Sequence, residues 1–570
     1  MIYPLLGNPK GLGNMWRIKV LAFVFILAFG IIWVRLFYWQ VVLHDKYKSI
    51  AESQHFNRLT IPAIRGEILA ADGTSLVANQ PAYLVFAEKK HITDIEKTAR
   101  TLWPLLDETE ASIAAQLTKD SVWIPLKHHV AEDKVRAIKQ LNYTAIGFER
   151  EDKRYYPESS MSAHLLGFVG KNQQGDEQGY FGIEGYYNKE LAGINGYLRQ
   201  EKDALGNPIV IGNSERIDPQ NGRTLVLYLD KSVQFIAENQ LKDGLKRYGA
   251  KAGNVIVMDP KTGGIIASTS YPSYDPGDFG QFHHDLYKNP IVADSFEPGS
   301  TFKALVMASA IDEGAVKATD TLEEKGPVHV SDYQIKTWND AYHGTITMTE
   351  VLEYSSNVGM VKVSEKLGKD TLLKFLTNAG FGSPTGVDLE EESSPQLRPE
   401  KDWRAIDLAT VSFGQGIAVT PLQMIRAIAA IANNGILMEP HAVKEIITSE
   451  EKMIPIPPKK VRQLFKPATA KIITEMMVSA VEHGEAKWAK PKEFRIAGKT
   501  GTAQIPVAGH YDDKKTIASF VGFAPADDPK FVMLVTLREP QVSPWGSETA
   551  APLFFRIAKE LLIYYGVAPS

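Results

Sequence analysis

One long uncharged stretch near the N-terminus constrains this chain more than any other feature. No residue from 20 to 34 is charged, and the apolar character resumes after Arg35 and continues to Leu43. An α-helix needs roughly 20 apolar residues to cross the hydrocarbon core of a bilayer, so residues 18–43 are predicted to form one transmembrane anchor. A cleaved signal peptide ending near residues 28–30 is the alternative, but apolar residues continue past that point, where a mature chain normally turns polar.

The charges around this stretch predict its orientation. Lys10, Arg17 and Lys19 lie before or at its start, whereas acidic residues begin only at Asp45. By the positive-inside rule, residues 1–17 are expected to form a cytoplasmic tail, and everything after about residue 44 is expected outside the cytoplasm.

Arg35 is a charge within the predicted span and has two interpretations. Its guanidinium either snorkels to the outer interface beside Tyr38 and Trp39, or it contacts the membrane helix of a partner, since charges inside bilayers tend to be functional. The sequence alone favours the first interpretation.

Length and composition narrow the classes of function. With 570 residues the chain is too long for one hydrophobic core, and we expect about two to four domains. A net charge of −4 gives no support for a nucleic-acid partner, which usually requires a basic surface. The chain has no cysteine, which excludes disulfides, thiolate metal sites and cysteine nucleophiles.

Turn signals and hydrophobic periodicity divide the rest of the chain into two regions. Residues 44–222 mix strand and helix patterns and are predicted to form one domain, which ends at the turn-rich run 218–222. Residues 223–570 have helices towards both ends, antiparallel strands between them and a helical middle, a pattern typical of an α+β domain. Within that helical middle, one helical stretch is expected over residues 348–367.

The run from Glu297 to Lys303 contains the candidate nucleophile. Pro298 and Gly299 interrupt the preceding chain and helical spacing follows, so Ser300 is predicted at or near a helix N-terminus, where free amides can stabilise an oxyanion. Residues three apart share one helix face, which lets the Lys303 amine reach the Ser300 hydroxyl. A serine needs a neighbouring base to accept its proton, and a lysine acts as that base only when burial or positive charge lowers its pKa.

Taken alone, the Ser-x-x-Lys spacing is weak evidence. It recurs at 449–452, where the intervening glutamates indicate a solvated surface. Two more motifs strengthen it, because Ser355-Ser356-Asn357 is the only Ser-x-Asn in the chain and Lys499-Thr500-Gly501-Thr502 follows further on. An earlier Lys-Thr-Gly at 261–263 precedes the candidate nucleophile, and a hairpin turn explains it.

Ser-x-x-Lys, Ser-x-Asn and Lys-Thr-Gly in this order are the signature of penicillin-recognising serine enzymes, and the chain resembles a class B penicillin-binding protein over nearly its whole length. The resemblance implies a pedestal domain followed by a β-lactamase-like transpeptidase domain. Lys499 to Thr502 and Phe520 to Pro525 resemble the division-type members more than the elongation type. Further runs match the family: Arg65-Gly66-Glu67-Ile68, Asp72-Gly73, Arg154-Tyr155-Tyr156-Pro157, Gly182-Ile183-Glu184, Leu191-Ala192-Gly193, Ser412-Phe413-Gly414-Gln415-Gly416 and Thr420-Pro421-Leu422-Gln423.

The resemblance also implies a role for each residue of the first two motifs. Ser300 attacks the carbonyl of a D-alanyl-D-alanine stem peptide and expels the last D-alanine. Lys303 is the base for acylation. Ser355 relays a proton to the leaving amine, and Asn357 orients Lys303 and the substrate amide.

The third motif is implied to bind the substrate. Lys499 supports the proton relay electrostatically, and Thr500, Gly501 and Thr502 hold the substrate, with the two hydroxyls on its carboxylate. The backbone amides of Ser300 and Thr502 form the oxyanion hole.

A membrane-anchored D,D-transpeptidase of septal wall synthesis, covalently inhibited by β-lactams and needing no cofactor, is the function that the resemblance implies. The amine of a second stem peptide resolves the acyl-enzyme. The implied partners are peptidoglycan stem peptides, a polytopic membrane glycosyltransferase and other division or wall-synthesis proteins. The implied location is the bacterial cytoplasmic (inner) membrane, with the catalytic domain outside the cytoplasm.

Several alternatives stay open at this level. A D,D-carboxypeptidase or a β-lactamase would use the same nucleophile, although no segment matches the deacylating glutamate of a class A β-lactamase. A non-catalytic scaffold of the wall-synthesis complex is a third possibility. His283-His284-Asp285 suggests either a metal site or, as the sequence favours, a polar loop. Trp338, Tyr342 and His343 either line the cleft or pack structurally.

Overall fold

The computed structural model describes residues 15–203, 209, 214–507 and 510–569. Most of the predicted cytoplasmic tail, residues 1–14, lies outside this described part. The described residues form two compact units, one from those within Met1–Ala63 and Ile194–Gln220, and the other from those within Ile64–Gly193 and Asn221–Ser570.

The first unit begins with the predicted apolar helix. An α-helix, Met15–Phe37, continues without a break into a π-helical turn, Tyr38–Val42. Within the described residues, this 28-residue segment is the one helix long and apolar enough to cross a membrane, and none of its residues is buried. The structure therefore confirms a single apolar helix, which begins three residues before the predicted span. The Arg35 guanidinium lies 4.9 Å from the centroid of the Trp39 ring, a cation–π contact that agrees with the snorkelling interpretation.

The rest of the first unit is a helix and a small sheet. The helix His44–His55 follows the apolar segment. Three antiparallel strands come next, with Gly196–Glu201 between Phe56–Ile61 and Ser214–Ile217.

The second unit contains residues 64–193 of the region predicted as a pedestal, whereas residues 44–63 and 194–220 belong to the first unit. A three-stranded antiparallel sheet has Ala82–Glu88 at its centre, flanked by Trp123–Ala131 and Ile146–Arg150. A separate hydrophobic core forms between this sheet and three helices, Ile95–Leu106, Glu110–Leu117 and Glu132–Gln140. Smaller elements complete the region: Lys89–His91, Ala163–Leu166, Phe168–Lys171, Glu177–Tyr180, Gly182–Tyr186 and Asn188–Ala192.

A six-stranded sheet is shared by this region and the C-terminal region. Ile68–Leu69 pairs in parallel with Thr224–Leu227, so strands from both sides of residue 222 are hydrogen-bonded neighbours. The domain boundary predicted near that residue stays a prediction. In order across the sheet, the strands are Met453–Pro455, Val443–Ile447, Thr224–Leu227, Ile68–Leu69, Ser75–Gln80 and Lys153–Tyr155.

A buried ionic cluster explains three of the family-like runs. Glu184 is fully buried and accepts hydrogen bonds from Arg65 Nε at 2.8 Å and from Arg154 Nε at 2.7 Å. Arg154 also donates to Asn79 Oδ1 at 2.9 Å, and Arg65 donates to Asn188 Oδ1 at 3.0 Å. Residues far apart in the chain thus neutralise and hydrogen-bond one another inside the protein, as buried charges require.

The C-terminal region is built on a five-stranded antiparallel sheet, which confirms the α+β class. Its strands in order are Ile265–Tyr271, Ala252–Met258, Phe531–Arg538, His510–Ala524 and Ala497–Val507. Helices Lys231–Tyr248 and Ala550–Tyr564 share one hydrophobic core with the sheet. A second core contains sheet residues and the helical middle, including Lys303–Asp312, Pro421–Ala432 and Pro467–His483. The strand Ala497–Val507 lies at the edge of the sheet, where a ligand can approach its backbone.

The helical middle departs from the sequence prediction at one place. The stretch expected over residues 348–367 is two helices, Met348–Glu353 and Asn357–Leu367. Between them Ser355 has a φ of 53°, a left-handed conformation that ends one helix, and Ser356 caps the next by accepting from Gly359 N. The remaining elements are Pro276–Gln281, His284–Leu286, Pro290–Ala293, Gly299–Phe302, Thr321–Glu324, Val328–Val330, Tyr333–Ile335, Gly344–Thr347, Lys369–Ala379, Glu400–Asp402, Ala405–Ser412, Ile436–Met438 and Lys460–Gln463.

Candidate active site

The turn that carries Ser300 is held by two glycines. Ser300 lies in a 3₁₀ turn, Gly299–Phe302, that leads directly into the helix beginning at Lys303. Gly299 has a φ of 56°, and a Cβ there would lie 2.8 Å from Thr502 O. Gly414 has a φ of 80°, its carbonyl accepts from Gly299 N at 3.0 Å, and a Cβ on it would lie 2.2 Å from Gly299 O. Only glycine fits this close backbone approach.

Lys303 lies one 3₁₀ turn after Ser300, so their side chains point the same way. The lysine side chain is fully buried. Its Nζ donates to Ser355 O at 2.5 Å and to Asn357 Oδ1 at 2.7 Å, and Ser355 Oγ lies 3.3 Å away. Burial, followed by the positive charge of Lys499, holds the pKa of Lys303 well below its ordinary value. The site therefore favours a neutral amine at this position.

Ser355 lies between two amines. Lys499 Nζ donates to Ser355 Oγ at 3.0 Å, and Lys303 Nζ lies 3.3 Å from the same oxygen. The left-handed conformation of Ser355 breaks the helix so that both its carbonyl and its hydroxyl face Lys303. Asn357 begins the next helix and is fixed by its Nδ2 donating to Lys336 O at 3.0 Å.

Lys499, Thr500, Gly501 and Thr502 lie consecutively on the edge strand Ala497–Val507. Lys499 is buried, and burial lowers its pKa. Its Nζ also donates to Thr500 Oγ1 at 3.0 Å. Thr502 Oγ1 accepts from Gly546 N at 2.9 Å. A Cβ on Gly501 would lie 2.5 Å from Ser519 Oγ and 2.7 Å from Thr301 Cγ2, so glycine at 501 lets the strand pack against the segment around the nucleophile.

The three motifs converge on one cleft of about 230 Å³. Ser300, Ser355, Asn357, Thr500, Gly501 and Thr502 line it, while the two lysines are buried. Trp338 also lines the cleft, with its ring 4.9 Å from that of Trp545. His343 instead stacks on Tyr354 at 4.0 Å.

Several cleft residues were not found by reading the sequence. Trp545, Ser547, Gln415 and Glu485 line the cleft although none belongs to a short motif with a chemical reason of its own. Gln415 lies in the run from Ser412 to Gly416, which matches the family, and this match is the sequence signal that could have identified it. Glu485 follows Gly484 at the end of the helix Pro467–His483, and the sequence has no signal for where its side chain points.

The other candidate motifs lie elsewhere. Lys261-Thr262-Gly263 forms the turn between two antiparallel strands, with Lys261 paired to Asp528 at 2.6 Å. His283, His284 and Asp285 are exposed, and each offers one ligand atom within 4.8 Å of the others. These three residues could hold a metal ion, but they lie outside the cleft lining.

The chain matches two known protein families. Residues 253–559 match the penicillin binding protein transpeptidase domain, and residues 60–227 match the penicillin-binding protein dimerisation domain. It is 33% identical over 562 residues to stage V sporulation protein D of Bacillus subtilis, covering 96% of this chain and 86% of the relative. It is 30% identical over 567 residues to peptidoglycan D,D-transpeptidase FtsI of Escherichia coli, covering 97% and 93%.

A solved structure shows the same fold. Penicillin binding protein 3 of Mycobacterium tuberculosis, complexed with ampicillin, superposes with a TM-score of 0.70 at 26% identity and covers 90% of this chain and 97% of that one. The fold, the three converging motifs and these matches agree. The chain belongs to the class B penicillin-binding proteins.

Proposed function

We propose that this protein is a serine-type peptidoglycan D,D-transpeptidase that crosslinks stem peptides through an acyl-enzyme on Ser300. The observation that carries the proposal is the buried Lys303 amine, held by Ser355 and Asn357 one turn from Ser300 at the edge of an open cleft. The transpeptidase family match and the relative named peptidoglycan D,D-transpeptidase support the same activity.

The first step needs a base for the Ser300 proton, and the geometry favours Lys303. Ser355 O and Asn357 Oδ1 are oxygens that can only accept, so they take two N–H groups of the Lys303 amine. A neutral amine has two N–H groups and one lone pair. The lone pair is thereby left for the Ser300 hydroxyl, whose oxygen attacks the carbonyl of the penultimate D-alanine.

The proton then has to reach the leaving amine. Ser355 Oγ lies 3.3 Å from Lys303 Nζ and 3.0 Å from Lys499 Nζ, which suits it to pass a proton from Lys303 to the nitrogen of the last D-alanine. Lys499 supports this transfer electrostatically. As the carbon–nitrogen bond breaks, D-alanine leaves as a neutral amine and Ser300 remains acylated. In the tetrahedral stage the backbone amides of Ser300 and Thr502 serve as the oxyanion hole.

The substrate carboxylate is assigned to the hydroxyls of Thr500 and Thr502. Both line the cleft beside the buried Lys499. Thr502 Oγ1 accepts from Gly546 N, so its own proton is left to donate towards a ligand. Gly501 between them lets the edge strand pack closely against Thr301, next to the nucleophile. β-Lactams, which carry a carboxylate beside a reactive amide, are expected to acylate Ser300 in the same way.

The second step distinguishes a transpeptidase from a carboxypeptidase. In the proposed reaction the amine of a second stem peptide attacks the acyl-enzyme, forms the crosslink and releases Ser300. In a D,D-carboxypeptidase water would do so instead. The match to a dimerisation domain over residues 60–227 accompanies the transpeptidase match and favours the crosslinking enzyme over a simple hydrolase.

The proposed setting is septal wall synthesis at the bacterial cytoplasmic membrane. The apolar helix Met15–Val42 fits a single-pass anchor. The basic residues before the helix support a cytoplasmic N-terminus and an outer catalytic domain. Arg35, beside Trp39 and near the C-terminal end of the helix, supports an interfacial position for that end, which is the outer end in this proposal. A polytopic glycosyltransferase and other division proteins are the proposed partners.

Acylation by benzylpenicillin tests the assignment of the nucleophile. The full-length protein in detergent is mixed with the drug, and the intact mass and the labelled peptide are recorded. We expect a stable adduct on the peptide that contains Ser300, lost in Ser300→Ala and retained in the control Ser449→Ala, which removes the serine of the other Ser-x-x-Lys. A folded protein that forms no adduct would contradict the proposal, and rapid drug hydrolysis would indicate a β-lactamase.

A stem-peptide assay tests the second step. With a pentapeptide donor and an amine acceptor, the expected product is the crosslinked dimer, absent in Ser300→Ala. Release of D-alanine without a dimer would favour the carboxypeptidase. The assay is done with the full-length chain, so that the anchor is present.

A further inference from the structure

Glu485 is a cleft residue that the proposed mechanism does not use. The helix Pro467–His483 ends immediately before Gly484. A Cβ on Gly484 would lie 2.3 Å from Ala480 O and 2.8 Å from Glu353 O, so only glycine lets the chain turn tightly here. The next residue, Glu485, is thereby brought to the cleft, where it is half-buried.

The Glu485 carboxylate contacts the threonine that is assigned to the substrate carboxylate. Glu485 Oε2 accepts a hydrogen bond from Thr500 Oγ1 at 3.0 Å. Thr500 Oγ1 in turn accepts from Lys499 Nζ at 3.0 Å. A hydroxyl has one proton, and in this arrangement the proton of Thr500 is donated to Glu485 and cannot be donated to a ligand at the same time.

Glu485 also changes the charge of the site. Among the described residues that line the cleft it is the one acidic side chain. It favours the charged forms of Lys499 and Lys303, opposing the effect of burial on both amines. A negative charge therefore already lies beside Lys499, where an anionic ligand would otherwise meet only positive charge.

We propose that Glu485 determines ligand specificity, because before any ligand binds it already accepts the Thr500 hydrogen bond that a ligand carboxylate needs. The inference rests on the proposed function, in which Thr500 and Thr502 hold that carboxylate. An incoming carboxylate has to replace Glu485 as the acceptor of the Thr500 hydrogen bond. It also lies close to the negative charge of Glu485, which opposes its binding. A neutral ligand with the same reactive ring meets no such repulsion. Glu485 thus weakens acylation by anionic donors relative to neutral ones.

The test compares two acyl donors that differ only in charge. Benzylpenicillin carries a carboxylate, and its methyl ester has the same ring system with no charge. The second-order rate constant for Ser300 acylation is measured for both donors by intact mass, using the full-length protein in detergent. The variants are Glu485→Gln and a control, Glu482→Gln, which removes one negative charge from an exposed position near the end of the same helix.

Removing the Glu485 charge is expected to change the acylation rate constant of benzylpenicillin but not that of its methyl ester. In Glu485→Gln the rate constant for benzylpenicillin should rise about tenfold or more, which corresponds to about 1.4 kcal/mol. The rate constant for the ester should change less than about twofold. Glu482→Gln should leave both rate constants within about twofold of the wild type. If Glu485→Gln does not fold, Glu485→Ser gives the same comparison with a smaller uncharged side chain.

The outcomes separate this inference from the proposed function. Equal changes for the two donors, or slower acylation by benzylpenicillin in Glu485→Gln, would show that Glu485 only positions Thr500 and would overturn the specificity role. In either case a Ser300 adduct in the wild type would leave the proposed function standing. If the wild type forms no Ser300 adduct with either donor, the proposed function is overturned and this inference with it.

Discussion

Glu184 joins Arg65 and Arg154 through one buried carboxylate, and replacing it by glutamine tests how strongly that connection stabilises the protein. The carboxylate is fully buried, and the Arg65 and Arg154 side chains are each 6% exposed. Glutamine keeps the shape and one acceptor oxygen but turns an NH₂ group towards a guanidinium donor. Removing one partner of a buried ion pair costs about 3–5 kcal/mol, and we expect the unfolding free energy of Glu184→Gln to fall by this amount.

The assay is urea unfolding of the full-length protein in detergent, followed by tryptophan fluorescence. Glu149→Gln is the matched control, because Glu149 is exposed and such surface changes usually stay within about 0.5 kcal/mol. A loss of less than about 1 kcal/mol in Glu184→Gln would refute the reasoning, since it would mean that the two guanidinium groups find other partners or water.

The pH dependence of the same variant provides a second check. Burial alone would raise the pKa of Glu184, but the charges of Arg154 and Arg65 and their hydrogen bonds outweigh burial and lower it. A carboxyl whose pKa is lowered in the folded state stabilises the protein above its ordinary pKa, and this stabilisation is lost as the pH falls through the folded-state value. The difference between wild type and Glu184→Gln should therefore shrink in acid.

Three further outcomes are expected. Lys303→Met should lower the rate constant for Ser300 acylation by benzylpenicillin by about 10²–10⁴-fold, the usual effect of a lost general base; a loss under tenfold would contradict its role. His164 is buried, and burial lowers its pKa from 6.5 to about 4, so its neutral form stabilises the fold above pH 6.5. The unfolding free energy should then fall by about 3 kcal/mol between pH 6.5 and 4, and His164→Gln should remove that part of the decline. Gly501→Ala should destabilise the protein by about 1–3 kcal/mol through overpacking and slow acylation at least about tenfold, and unchanged urea unfolding and acylation would contradict the packing argument.

The relation between Ser300 and Lys303 could be predicted from the sequence because it is local. Pro298 and Gly299 mark the start of a helix, and three-residue spacing places both side chains on one face. The structure adds a 3₁₀ turn at this point without changing that relation. The long helices and strands of the C-terminal region were predictable for the same reason, since their periodicity is contained within each segment.

The conformation of Ser355 could not be predicted in this way. The one glycine or proline in residues 348–367 is Gly359, which lies after the break and inside the second helix, and the apolar spacing fits one helix. The break comes from tertiary contacts: Lys303 binds the carbonyl of Ser355, and Ser356 bonds to the buried Glu324 while it caps the following helix. The order of the three motifs pointed to the site only through the family resemblance, because nothing local indicates that residues 300, 355 and 499 meet.

The position of Glu485, which lies outside any motif, could not be predicted from the sequence either. Its position depends on Gly484 packing against the carbonyl of Glu353, more than 100 residues earlier in the chain. The ionic cluster at Glu184 is a further case, since Arg65, Arg154 and Glu184 were recognisable as family-like runs but their mutual contact was not. A short motif identifies residues that the site or the fold needs. The contacts through which these residues act join parts of the chain that are far apart in sequence.

Two buried lysines, Lys303 and Lys499, contact Ser355, and their surroundings favour Lys303 as the proposed base. Lys303 is desolvated and faces the positive charge of Lys499, so its pKa is held well below the ordinary value. Lys499 is also desolvated, which lowers its pKa. When two like charges lie close together, one proton leaves first, and the pKa of Lys303, which burial and Lys499 hold well below its ordinary value, favours losing it from Lys303. We therefore propose that the neutral amine is that of Lys303, one turn from Ser300, and that Lys499 stays charged beside Thr500, where the ligand carboxylate is proposed to bind.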